Sequence, residues 1–245
     1  MAGGAEAAAA RTPGPGRGSV PRRLRQILAR PPGRPAVRRA GMAALNPWDE
    51  RFARDEAYYG LAPSVFVMDS AGAIPPGGRV LCLAEGQGRH ALALAARGYT
   101  VTAMDLSAVA CAQLRSRAQA LRLPLAVVQQ DLGLWSPPAG LYDGVVAVYA
   151  HMPRALRALV HAGMVRALAP RGLAIIEGFR AEQCGRPSGG PAEPGWYYGA
   201  DELRADFAAL SIEHLSTPEA VLEEGRGHQG PAALIRLRAR RLGNL

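Results

Sequence analysis

The stretch "LCLAEGQGRHALALAARGYTVTAMD", residues 81–105, constrains the fold more than any other part of the chain. An apolar run ends in Glu85, two glycines follow at Gly-x-Gly spacing, an Ala-rich segment comes next, and a second apolar run ends in Asp105. That order reads as strand, tight turn, helix, strand. Gly86-x-Gly88-x-x-Ala91 also meets the loose dinucleotide pattern. The turn alone therefore leaves its ligand open between a dinucleotide and something without phosphates.

The pattern continues downstream. Strand-like runs lie at 79–84, 100–104, 125–130, 143–149 and 173–177, with two more near 211–222 and 231–239. Helical patterns cover 89–97, 107–122, 153–168 and about 201–209, and 46–60 and 63–74 read as short helical lead-ins. "PRG" at 170–172 reads as a turn, and "EEGRGHQG" as the turn joining the last two strands. Apolar strands separated by helices imply a parallel sheet with crossovers, while two adjacent strands joined by a short Gly turn must pair antiparallel. The expected fold is α/β: a doubly wound, mostly parallel, seven-stranded Rossmann-like sheet with a reversed last strand.

Charge separates a leader from this domain. The net charge is +9, yet residues 1–41 hold nine Arg and one Glu, and the remainder is almost neutral. We read residues 1–44 as a disordered Arg/Ala/Gly/Pro-rich leader and 45–245 as the folded domain. Within the leader, Leu24, Ile27 and Leu28 share a helical face among arginines, as in a transit peptide; a start at Met42 is the alternative. Localisation is accordingly cytoplasmic, or mitochondrial or plastid if the leader is genuine. The near-neutral domain argues against nucleic acid as partner. No apolar run approaches the roughly 20 residues of a membrane span, and Cys82, Cys111 and Cys184 lack metal-ligand spacing, so neither membrane nor metal is expected.

Glu85 decides the ligand. It precedes the glycines, so its carboxylate enters the space a pyrophosphate would fill, where like charges in a semi-buried cleft repel by several kcal/mol. An ammonium and a sulfonium would instead be attracted. Asp105 ends the second strand, where it can accept from two ribose hydroxyls. Asp131 follows the third strand, placed for an adenine amine, and Leu106 and Leu132 can cover the ring faces. Three acids at three successive strand ends suit a cationic adenosine ligand, S-adenosylmethionine.

With these residues in view, the chain resembles the class I S-adenosylmethionine-dependent methyltransferases, and more narrowly the tellurite-resistance (TehB-like) and thiopurine S-methyltransferase-like branch. The resemblance covers about residues 46–240 and rests on "WDERFARDEAYYGLAPSVFV", "LAEGQGRHALALAARGYTVTAMDLS", "QQDL", "HMPRALR", "GGP" and "EEGRGHQGPAALIRLRARR". The branch commonly reads Ala-Glu-Gly-x-Gly-Arg-Asn, and His90 stands in the Asn place. The resemblance implies methyl transfer, with Glu85, Gly86, Gly88, Asp105 and Asp131 binding cofactor and Trp48 covering it; a core anchor is the alternative for Trp48. It also implies a small acceptor with a soft S, Se or Te nucleophile.

On the acceptor side, His151 after the fourth strand is the candidate base, with a helix-cap role as its alternative, and His228 and Tyr149 are candidate substrate contacts. His161 and His214 read as surface or packing residues, and Arg154 and Arg157 as a solvated helix face, with attraction of an anionic acceptor as the alternative. The Gly/Pro-rich segment 179–200, ending in Trp196, Tyr197 and Tyr198, reads as a lid. A monomer is expected. The competing readings are a non-catalytic S-adenosylmethionine-binding module and an NAD(P)-dependent oxidoreductase.

Overall fold

Alternation along the first strand organises the molecule. In the computed structural model, which describes residues 46–243, β1 (Arg79–Leu83) buries every residue after the first. Val80 and Cys82 face one core with Val67, Leu94 and Leu114, whereas Leu81 and Leu83 face another with Val160, Met164 and Phe207. A strand buried on both faces is the central strand of a doubly covered sheet.

The helices α1 (Pro47–Arg54) and α2 (Val65–Ala71) precede β1. Then come α3 (Arg89–Ala96), β2 (Thr100–Asp105), α4 (Ala108–Leu121), β3 (Leu125–Gln129), β4 (Tyr142–Val148), α5 (Arg154–Ala167), β5 (Leu168–Phe179), α6 (Ala200–Asp206), β6 (Ser211–Ser216), β7 (Glu219–Glu224) and β8 (His228–Arg240). The sheet order is β3-β2-β1-β4-β5-β8-β6. β1 to β5 pair in parallel, and β8 runs antiparallel between β5 and β6. This is the Rossmann-like, doubly wound fold of class I methyltransferases, with its reversed last strand. The reading of residues 1–44, including the Leu24, Ile27 and Leu28 face, falls outside the described residues.

Two boundaries differ from the sequence reading. The run 211–222 is two strands, because Pro218 has no N–H to continue a ladder. β6 pairs the far half of β8, and β7 pairs its first half as an added eighth strand. His228 consequently opens β8 instead of lying in the turn. The expected turn at 170–172 is a bulge within β5, with Arg171 at φ 66°. Among the described residues, no helix is long and apolar enough to cross a membrane.

Candidate active site

At the carboxyl ends of β1, β2 and β4, where the strand order reverses about β1, lies a cavity of about 470 Å³. Ligands of open α/β sheets bind at such switch points. Trp48, Glu85, Gly86, Gly88, Asp105, Leu106, Asp131, Leu132, Tyr149, His151 and His228 all line it. The fold thus gathers every sequence-selected site residue into one wall.

Glu85 is not a loop carboxylate in water. It is buried, and its Oε1 accepts from the backbone N–H groups of His90 (2.8 Å) and Ala91 (2.9 Å) in the first turn of α3. A helix N-terminus is the usual seat of a phosphate. Here an internal carboxylate already occupies it, so the donors a dinucleotide needs are spent, and negative charge is added beside them. Asp105 Oδ2 accepts from Gly86 N at 2.7 Å and Oδ1 from Ser107 N at 2.8 Å. Each carboxylate oxygen keeps a further lone pair. Burial raises the Asp105 pKa against the lowering effect of those two N–H bonds. Asp131 Oδ1 accepts from Gly133 N at 2.8 Å, capping a short 3-10 turn, and its side chain is exposed at the cavity edge. These acids and the filled helix terminus fit a cationic nucleoside and oppose a pyrophosphate.

Trp48 remains 37% exposed, which removes it from the core and places it on the rim. It stacks on Phe52 with ring centroids 6.0 Å apart, and the Arg51 guanidinium lies 4.8 Å from its centroid. Its helix is held by Asp49, which the sequence reading missed. Buried Asp49 Oδ1 accepts from Ser107 Oγ at 2.6 Å and from Val109 N at 3.1 Å, tying α1 to the start of α4. An acid in a helix first turn carries no signal of such a distant partner.

The end of the cavity beside β4 and β5 is aromatic. Tyr149, Phe179, Tyr59 and Trp196 line it together with Met152, His151 and His228. Tyr149 holds a positive φ of 50°, uncommon for a bulky residue and typical of functional sites. Burial, the largest cause, pushes its phenol well above the usual range. Tyr149 and His90 both line the cavity, and Tyr149 Oη and His90 Nε2 are buried without a hydrogen-bond partner among the described residues.

His151 is placed at the cavity, but both its ring nitrogens are engaged. Phe179 N–H donates to Nε2 at 3.2 Å, which leaves Nδ1–H to donate to Trp196 O at 3.0 Å. Burial, the largest cause, lowers its pKa to about 4. In this arrangement neither ring nitrogen keeps a free lone pair, and His151 joins the ends of Phe179 and Trp196 across the cavity wall. Arg157 is corrected: it is 1% exposed, not solvated, and donates to Glu202 at 2.8 and 2.7 Å and to Trp196 O at 2.9 Å. Arg154 does lie on the solvated face. His161 is a packing residue, bonded to Asp206 at 2.7 Å and stacked on Tyr198.

The segment 179–200 covers this end through Gly190, Pro191, Ala192 and Trp196. Buried Gln183 holds it from within, donating to Ser188 Oγ and Gly189 O and accepting from Ala233 N, each at 2.8 Å. Tyr198 Oη donates to Ala150 O at 2.9 Å. Among the described residues, no group of three His, Cys, Asp or Glu is placed to hold a metal ion.

Residues 80–172 match a family described as a methyltransferase domain. No match was found among curated proteins. Similar solved structures include TehB from Haemophilus influenzae, at 20% identity over 79% of this chain and 67% of that one, with a TM-score of 0.61. Another is a protein of echinomycin biosynthesis, from work on conversion of a disulfide bond into a thioacetal group; identity is 22% over 81% and 91% of the two chains, with a TM-score of 0.65. Magnesium protoporphyrin IX methyltransferase (ChlM) from Synechocystis PCC 6803, with bound SAH, gives 17% over 78% and 93%, with a TM-score of 0.56. The fold is that of the class I methyltransferases, and residues 80–172 carry the matched methyltransferase domain. The chain is a methyltransferase enzyme, and S-adenosylmethionine is its cofactor.

Proposed function

We propose that residues 45–245 form the methyltransferase domain and move a methyl group from S-adenosylmethionine to a small acceptor with a soft nucleophile, sulfur above all. The observation that carries the cofactor half is Glu85 capping α3 at His90 and Ala91, beside Asp105 on the glycine turn. Glu85 and Asp131 supply acceptors for the ammonium and the adenine amine, Asp105 for the ribose, and Gly86 and Gly88 permit close approach. Trp48, Leu106 and Leu132 cover the nucleoside. The cofactor brings an activated methyl, so the chain's part is alignment and exclusion of water.

The acceptor half follows from its walls. Polarisable sulfur gains from aromatic ring edges, and Tyr59, Tyr149, Phe179 and Trp196 supply them beside Met152. On the hairpin side the cavity-lining Arg89 is paired with Glu224 behind it at 3.0 Å, while Arg51, bonded to Tyr59 Oη at 2.7 Å, lines the cavity with no carboxylate partner among the described residues. The aromatic lining supports an acceptor with an apolar body and the TehB-like, thiopurine S-methyltransferase-like branch. The test is transfer of labelled methyl to thiophenol, phenol and a short oligonucleotide. Methyl thioether as the main product is expected; methylation of phenol or oligonucleotide in preference to the thiol would refute the acceptor class.

A further inference from the structure

The β7–β8 hairpin brings Glu224 and His228 together across a turn of three residues, Gly225–Gly227. His228 Nδ1 lies 3.2 Å from Glu224 Oε2, and Arg89 donates to that same oxygen at 3.0 Å. Arg89 is itself fixed by donating to Tyr59 O at 3.1 Å and Ala62 O at 3.4 Å. The imidazole packs between Tyr149, with centroids 4.3 Å apart, and Tyr59 at 4.6 Å. The hairpin tip is seated as well: Gly227 N donates to Tyr58 O at 3.0 Å, and a Cβ on Gly225 would stand 2.2 Å from Gly60 N. The pair is therefore held rigidly in the cavity wall.

Protonation follows from these contacts. Burial opposes a charge on Glu224, but bonds from His228 and Arg89 outweigh it and hold the carboxyl at about 2. Burial also lowers His228, against the pull of Glu224, and the Arg89 and Arg51 guanidinium groups add to the lowering. At neutral pH this is a neutral imidazole donating Nδ1–H to a carboxylate. Its lone pair is then on Nε2, since among the described residues the ring makes its hydrogen bond through Nδ1 alone. Gly189 packs close by, and a Cβ there would stand 3.4 Å from Nε2. That is the reverse of His151.

We propose that His228 takes the acceptor's proton, with Glu224 as its positioning residue, and that the acceptor enters as a neutral thiol or selenol on an apolar body. As the acceptor's sulfur or selenium forms its bond to the methyl carbon, its proton passes to His228 Nε2. The electron pair of the broken carbon–sulfonium bond returns to the cofactor sulfur, leaving a neutral thioether, and the imidazolium is offset by Glu224. The inference rests on the methyl-transfer reading above.

Two probes separate a base from a structural staple: benzyl mercaptan, protonated at neutral pH, and 4-nitrothiophenol, already ionised. In His228→Gln, the ratio of kcat/KM for the protonated over the ionised thiol should fall by about 100-fold, with S-adenosylhomocysteine affinity retained. Glu224→Gln should move the ratio the same way by less. An unchanged ratio would overturn the assignment. Nitrogen-15 histidine NMR of the wild-type S-adenosylhomocysteine complex needs no turnover: Nδ1–H with bare Nε2 is expected for His228, and Nε2–H would overturn its role as base. A wild type that methylates neither thiol overturns the thiol acceptor and the reading beneath it, and the nitrogen spectrum still decides the tautomer.

Discussion

Replacing Arg157 with Ala is expected to lower the unfolding free energy by about 3 kcal/mol, near the low end for breaking a buried ion pair, and to open the acceptor end of the cavity. Arg157 lies in α5 at 1% exposure, where its guanidinium takes both oxygens of Glu202 from α6 and the carbonyl of Trp196. Without it, Glu202 is left in a site where its side chain is only 14% exposed, with the outward Arg154 as its remaining partner. That remaining pair is why the low end of the range applies. Trp196 O would keep one of its two side-chain donors, His151 Nδ1. The covering segment should then loosen and admit water, lowering kcat with little change in S-adenosylhomocysteine affinity. Urea unfolding with single-turnover methyl transfer checks both. The double variant Arg157→Met with Glu202→Leu should regain most of the stability, because it removes the unpaired charge, but not the grip on Trp196.

Gly88→Ala is expected to cost about 2–4 kcal/mol and most of the cofactor affinity. Gly88 caps α3 at φ 91°, where an L side chain is strained, and its Cβ would stand 2.1 Å from Leu114 Cδ1 and 3.0 Å from Leu114 Cγ. Leu114 is buried in the core under α4, so its displacement moves a helix instead of a free side chain. That helix is capped by Ser107, whose N–H donates to Asp105, so the shift reaches the carboxylate that holds the glycine turn. Calorimetric titration with S-adenosylhomocysteine and thermal unfolding measure the two effects. An affinity within about threefold of wild type (less than 1 kcal/mol) would show that the turn tolerates a side chain.

What could be read in the sequence was local. The apolar run of β1, the Gly-x-Gly turn and the acids at successive strand ends sit within one or two residues of features that reveal them, and the cavity gathers the turn and the acids. Long-range partners were not legible. Nothing around Arg157 announces Glu202, 45 residues later, so a helix arginine reads as solvated. His151 follows a strand at the expected end of the sheet, but only the fold shows Phe179 and Trp196 using both its nitrogens. Glu224 and His228 stand in plain sight in "EEGRGHQG"; their pairing depends on Pro218 ending β6 early enough for β7 to form a hairpin with β8. Glu85 was chosen for its charge, yet the reason it excludes a phosphate is more specific than repulsion. It fills the helix terminus that the phosphate would use.

That filled terminus makes cofactor choice the most direct test. Thermal unfolding of the full chain should be followed with S-adenosylhomocysteine and, separately, with NAD, each in large excess. At about 100 times its dissociation constant a ligand adds about 2.7 kcal/mol, or several degrees of midpoint for a domain of this size. The account predicts that shift with S-adenosylhomocysteine, its loss in Asp105→Ala, and no shift with NAD. A shift with NAD and none with S-adenosylhomocysteine would contradict it.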